Sequence, residues 1–140
     1  MQKKKLKAES GMDKVRAIFK KAWPYQKDKM NLPVADVHAA IPFYETMMGF
    51  RLLSHTDSPK SSVILSRDEI QIGLCENGGD PTQNGCFIEV DNIDNALAEF
   101  NSNELNTSDI RLDKHGETSW KVFFVMAPDG LCYCIGQRHN

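Results

Sequence analysis

Val34-Ala35-Asp36-Val37-His38-Ala39-Ala40-Ile41-Pro42-Phe43-Tyr44 and, 56 residues further on, Val90-Asp91-Asn92-Ile93-Asp94-Asn95-Ala96-Leu97-Ala98-Glu99-Phe100 decide the fold. Laid over one another, they match Val34 with Val90, Asp36 with Asn92, Val37 with Ile93, Ala40 with Ala96, Ile41 with Leu97 and Tyr44 with Phe100. Each copy reads as the end of a strand, then an Asp or Asn suited to capping, then a helix with apolar residues at helical spacing. Gly49 is a favoured residue just past a helix C-terminus, and Phe50 follows it to make the usual hydrophobic contact. Pro42 lies inside the first helix, where it removes a hydrogen bond, so a bend or a late start is expected there.

Three strand-like runs follow each helix: 50–55, 62–66 and 70–75, then 110–112, 120–126 and 131–136. Arg67-Asp68-Glu69 and Pro128-Asp129-Gly130 read as the tight turns that join the last two runs of each set. The two sets meet at Glu76-Asn77-Gly78-Gly79-Asp80-Pro81, a loop composition. The chain is therefore read as α+β, with one βαβββ module over 29–76 and a second over 85–138.

The 140 residues suit one domain and contain no apolar run near the roughly 20 residues that span a bilayer. With 41% hydrophobic and 26% charged residues the composition is globular, which excludes disorder over the whole length. Residues 1–29 carry ten basic groups against three acidic ones, whereas the remainder has 7 basic and 16 acidic. Met12, Val15, Ile18, Phe19, Ala22 and Trp23 recur at spacings of three and four, with Ser10 and Asp13 as a capping pair and Pro24 as a stop. Residues 1–28 are thus expected to form a basic amphipathic helical arm that packs on residues 29–140 or on a second subunit. Neither nucleic acid nor a membrane is the expected partner, because a Lys-rich helix face is ordinarily just solvated. The start of the chain lacks the apolar core of a secretory signal, and a cytoplasmic location is expected.

Cys75, Cys86, Cys132 and Cys134 form no C-x-x-C and read as free thiols. Cys132 and Cys134, two apart on a strand, point to one face and are poorly placed to bond to each other. The four histidines are dispersed, and neither a nucleophile elbow nor a phosphate loop occurs. No catalytic residue can be named from these patterns.

Asp36-x-x-x-Ala40-Ile41-x-Phe43-Tyr44-Glu45-x-x-x-Gly49-Phe50, Arg67-Asp68, Phe87-Ile88-Glu89-Val90-Asp91 and Ala127-Pro128-Asp129-Gly130 occur in that order. Together they resemble the vicinal oxygen chelate superfamily, which includes glyoxalase I, extradiol dioxygenases and bleomycin-resistance proteins. The resemblance implies two βαβββ modules curled into an open half-barrel cleft, commonly in a homodimer. It also places metal ligands, in the members that do chemistry, on the first and last strand of each module. At those places this sequence has Lys29, Gly73, Gly85 and Cys134. An ammonium repels a cation, glycine offers no side chain, and one thiol cannot complete a site even with the nearby Asn31. Neither a metal nor another cofactor is expected.

If positions 73 and 134 face the cleft, strand alternation brings Gln71, Cys75, Cys132 and Gly136 with them, and Asn31, Phe87 and Glu89 from the first strands. Trp120 joins this candidate ligand-binding set. Phe87 and Trp120 serve equally well as sheet core, and Glu89 as a partner for Lys29. The function implied is metal-free binding of a small organic ligand, sequestered or carried as in bleomycin-resistance proteins. A lyase, isomerase or dioxygenase-like enzyme with a displaced site is the alternative, and a regulatory module acting through the basic arm is a third.

Overall fold

The computed structural model describes residues 16–25 and 30–139. In chain order its strands and helices are β1 (Phe19–Pro24), β2 (Asn31–Pro33), α1 (Val37–Pro42), β3 (Arg51–Thr56), β4 (Ser62–Arg67), β5 (Ile70–Cys75), β6 (Gly85–Val90), α2 (Ile93–Ser102), β7 (Asn106–Thr107), β8 (Arg111–His115), β9 (Thr118–Met126) and β10 (Cys132–Arg138). The first module forms a sheet in the order β2-β5-β4-β3, with β2 parallel to β5 and the other pairs antiparallel. The second repeats it: β6 runs parallel to β10, which pairs with β9, and β9 pairs with both β8 and the short β7. Both sheets stay open, so the architecture is the expected α+β one.

The repeat extends to its atoms. Asp36 Oδ1 accepts from the Ala39 N–H at 3.2 Å, and Asn92 Oδ1 accepts from the Asn95 N–H at 2.9 Å. The same orphan donor of a first helical turn is satisfied in each copy. Pro42 ends α1 after six residues, and the chain continues as a π-helical turn over Phe43–Met47. Pro42 has no N–H to continue the regular ladder, and beyond the wider turn Gly49 at φ +76° lets the Phe50 N–H reach back to the Tyr44 carbonyl at 2.9 Å. Leu32, Val34, Cys86, Ile88 and Val90 all turn to the helix side and join one main core with Val37, Tyr44, Ile93 and Phe100.

The arm is where the structure departs from expectation. Residues 19–24 are a strand, not a helix, and belong to the second module's sheet instead of a separate arm. β1 runs antiparallel to β6, with Trp23 opposite Phe87 and an irregularity between Phe19 and Lys21. Residues 16–18 are likewise not helical, whereas the expected helix before residue 16, and Lys29, lie outside the described residues. The physical reason is that β6 is buried on both faces, and its outer edge would otherwise bury unpaired backbone groups. A helix of some dozen residues has little stability of its own in water, so this pairing prevails over the helical stripe. Phe19 anchors the strand, fully buried with its ring edge-on to Phe50 at 5.9 Å and Phe100 at 6.2 Å.

One buried cation gathers these parts. Arg67, only 3% exposed at the end of β4, donates to both carboxylate oxygens of Glu99 on α2, at 2.7 and 2.8 Å. It also donates to the Met48 carbonyl at 2.7 Å and the Ala17 carbonyl at 2.9 Å, and its guanidinium stacks on Phe19 at 3.7 Å. Asp68 accepts from the Phe19 N–H at 2.9 Å and lies 3.3 Å from Arg67 Nε. A second tie joins Tyr44 to Tyr133, hydroxyl to hydroxyl at 2.7 Å, and Tyr44 donates to Asp129 at 2.9 Å.

Arg67→Ala should cost about 3–5 kcal/mol in urea unfolding, because it leaves Glu99 in a largely buried site without its cation. The loss should shrink when Glu99→Ala is already present; additive losses would deny the coupling. Phe19→Ala should cost about 3–5 kcal/mol as a core deletion. A loss within roughly 0.5 kcal/mol, as for an exposed site, would return Phe19 to a loosely attached arm.

Candidate functional site

The face of the second sheet that carries no helix is an aromatic wall. Strand register places Trp23, Phe87, Cys134 and Phe124 in one line across β1, β6, β10 and β9. Trp23 stacks on Phe87 with centroids 4.7 Å apart and planes 19° from parallel. Trp120 meets Phe87 edge-on at 5.0 Å and 78°. Gly136 makes this possible, since the Phe87 ring occupies the space a Cβ there would need. With Pro24, Tyr25 and Thr118 these side chains border a cleft of about 490 Å³, within the range of roughly 300–1,000 Å³ usual for ligand pockets.

Charge at the rim is paired. Arg138 lies over the Trp120 ring at 5.3 Å and reaches Glu89 at 3.8 Å, while Arg111 lies over Phe124 at 5.0 Å and contacts Asp113 at 3.2 Å. The wall thus presents π faces and little net charge, a surface suited to stacking.

Of the nine candidate residues, Phe87, Trp120 and Cys134 line this cleft. Glu89 and Cys132 stand on the same face of the same sheet, opposite Lys21 on β1 and Met126 on β9 respectively. Asn31, Gln71, Gly73 and Cys75 belong to the first sheet and do not line it. Gln71 borders a separate depression with Lys20, Lys21, Trp23 and Glu69. Trp23 borders both spaces, so β1 stands between the two groups. Gly73 opens no ligand space, because a Cβ there would meet Asn31 Oδ1 at 2.8 Å and the Met30 carbonyl at 2.9 Å.

The positions where the resemblance implies metal ligands do not fit a metal. Gly73 faces the Asn31 side chain, and Gly85 is covered by the Cys132 carbonyl and the Tyr25 ring. Of the three of these positions that are described, Cys134 alone offers a donor atom, and burial pushes its thiol up to about 12, with the nearby Asp113 and Cys132 adding to the rise. The Cys86 thiol is likewise pushed up to about 12 by burial. All four cysteines are free, and the two buried thiols are held in the protonated form, which neither ligates a hard cation nor attacks an electrophile.

Trp23, Tyr25, Thr118 and Phe124 were not among the expected site residues. Trp23 belongs to the helical stripe of the sequence, although it and Tyr25 flank Pro24 two apart, the spacing of one face of an extended chain. Phe124 carried a plainer signal, four residues after Trp120 on one strand and therefore on the same face.

The family model described as glyoxalase/bleomycin resistance protein/dioxygenase superfamily matches residues 27–131. No curated protein matches the chain. Among solved structures, the bleomycin resistance determinant encoded on the transposon Tn5 is 20% identical with a TM-score of 0.65, covering 79% of this chain and 95% of that one. TnmS3, an antibiotic binding protein from Streptomyces sp. CB03234, is 17% identical with a TM-score of 0.61, covering 78% and 92%. A glyoxalase/bleomycin resistance protein/dioxygenase from Alicyclobacillus acidocaldarius is 16% identical with a TM-score of 0.61, covering 79% and 89%. These three likenesses concern the fold alone. The family match over most of the chain, carried by two βαβββ modules with open sheets, makes the protein a member of the glyoxalase/bleomycin resistance protein/dioxygenase superfamily.

Proposed function

We propose that the chain is a small-molecule-binding protein of the bleomycin-resistance type, which sequesters or carries a flat, conjugated organic ligand in the aromatic cleft without a metal there. The stacked pair of Trp23 and Phe87, closed at one side by Trp120, carries this reading. Such a wall offers a planar ligand an offset-stacked or edge-on partner at each ring, worth about 0.5–1.5 kcal/mol apiece beyond area burial. The paired rim charges favour stacking over ionic capture. The solved relatives described as a bleomycin resistance determinant and an antibiotic binding protein support the same role.

The reading includes a cytoplasmic homodimer. In its favour, Leu53 and Ile64 of the first sheet are exposed, an apolar surface suited to a second copy.

Trp23 and Trp120 are the chain's 2 tryptophans and both line the cleft, so ligand entry should quench intrinsic fluorescence. Titration with a set of planar polycyclic antibiotics should find a saturable ligand, and Trp23→Ala should weaken it about tenfold, the equivalent of 1.4 kcal/mol. Trp23 is 41% exposed, so its removal should leave the unfolding curve close to that of the parent. Absence of any quenching ligand, or unchanged affinity in Trp23→Ala, would remove the cleft from the function.

The raised thiol makes a second prediction. At pH 8 a thiol titrating near 12 is ionised to about one part in ten thousand, so iodoacetamide should leave Cys134 and Cys86 unlabelled in the folded protein. Partly exposed Cys75 should be labelled first, as followed by mass spectrometry. Rapid labelling of Cys134 would favour covalent chemistry in the cleft over passive binding.

A further inference from the structure

On the other side of the first sheet from Gln71, Gly73 and Cys75, three side chains converge that neither the core nor the cleft uses. His38 lies in the first turn of α1, and His55 lies on β3 opposite Val63, whose side chain is buried under that helix. The two imidazole rings are 4.7 Å apart at 82°. Asp57, just past the end of β3, places Oδ1 2.9 Å from His55 Nε2. Among the described residues these three form the group in which one donor atom from each side chain lies within 4.8 Å of the others, and all three residues are exposed.

We infer that His38, His55 and Asp57 form a surface binding site for a divalent transition-metal ion, with zinc the best match. Two neutral imidazole nitrogens and one carboxylate are the donors that zinc, nickel and copper prefer, whereas magnesium and calcium favour oxygen-rich sets. Donors about 2.1 Å from a tetrahedral zinc lie roughly 3.4 Å apart, so exposed side chains reach that arrangement by rotamer changes alone. The backbone is already set. α1 is fixed by its Asp36 cap and β3 by its pairing with β4, so one ion clips a helix to the edge strand of its own sheet. In the ion-free protein, the His55–Asp57 contact holds two of the donors side by side. Three protein ligands leave a fourth position for water or for a donor from another molecule. The site is separate from the cleft and does not depend on what the cleft binds.

The test is calorimetric titration of the metal-free full chain with zinc sulfate, in a reductant that does not bind zinc, and cobalt(II) as a spectroscopic probe. One zinc per chain is expected, weakened about tenfold or more in His38→Gln and again in His55→Gln. Cobalt should give the d–d bands of nitrogen and oxygen donors without a thiolate charge-transfer band. Antibiotic-induced tryptophan quenching should be the same in these variants as in the parent, which separates failure of this site from failure of the cleft. Lack of zinc uptake, undiminished uptake in the His38→Gln/His55→Gln double variant, or a thiolate band from the cysteines would each overturn the assignment. Because both histidines are exposed, the ion-free variants should keep the parent's circular dichroism.

Discussion

The structure depends on keeping one guanidinium out of water. Burying an unpaired cation costs several kcal/mol, and the penalty is offset only when geometry and partners are complete. Arg67 meets that condition with donors directed to Glu99, Met48, Ala17 and Asp68, and with Phe19 beneath its plane. Its acceptors come from four places in the chain: the segment before β1, the end of the π-helical turn, the turn after β4, and α2. None of the four can move without stranding the charge, so the clasp fixes how the first module meets the second and where β1 enters. A lysine in its place would lack the planar fork that fits the Glu99 carboxylate and the flat face that rests on Phe19.

The fixed entry of β1 in turn creates the cleft. Phe87, Trp120, Val122 and Cys134 form a small apolar cluster on the face away from the helices, separate from the main core. Such a cluster is too shallow to cover itself. β1 lays Trp23 over its edge and leaves the remaining side open, so that part of the apolar surface stays available to something other than the chain. The main core on the other face carries the stability of the sheet, which lets the open face hold large rings whose arrangement serves binding.

Most of the fold was legible because it is periodic. Asp36 and Asn92 mark the same helical cap, and strict alternation sorts Cys86, Ile88 and Val90 from Phe87 and Glu89. The resemblance puts Cys134 on the inward face, and Trp120 joins that set without a strand argument of its own. What remained hidden depends on contacts distant in sequence. Phe19, Ala22 and Trp23 satisfy a helical spacing as well as a strand with one irregularity, and the deciding factor is the bare edge of β6, some sixty to seventy residues away. The resemblance joins Asn31, Gln71, Gly73 and Cys75 with Phe87 in one cleft, and alternation, which reports the face of one sheet, says nothing of what stands between two. That β1 occupies the gap is a tertiary fact. Arg67 and Asp68 were visible as a family feature, yet nothing local shows that five acceptors and a ring will close around the arginine.

The position of β1 also gives a role to Lys20 and Lys21. Among the described residues β1 is the last strand of its sheet. Phe19 has its N–H taken up by Asp68 and its carbonyl by the Glu69 N–H, while a strand edge left open beyond it is the kind that recruits further strands and seeds aggregation. Lys20 and Lys21 are exposed along that edge, and Pro24 closes its far end with a residue that has no N–H to donate. Two like charges and a missing donor make continued pairing unfavourable for any incoming strand. The lysines of this strand therefore act as a guard that keeps a finite sheet finite.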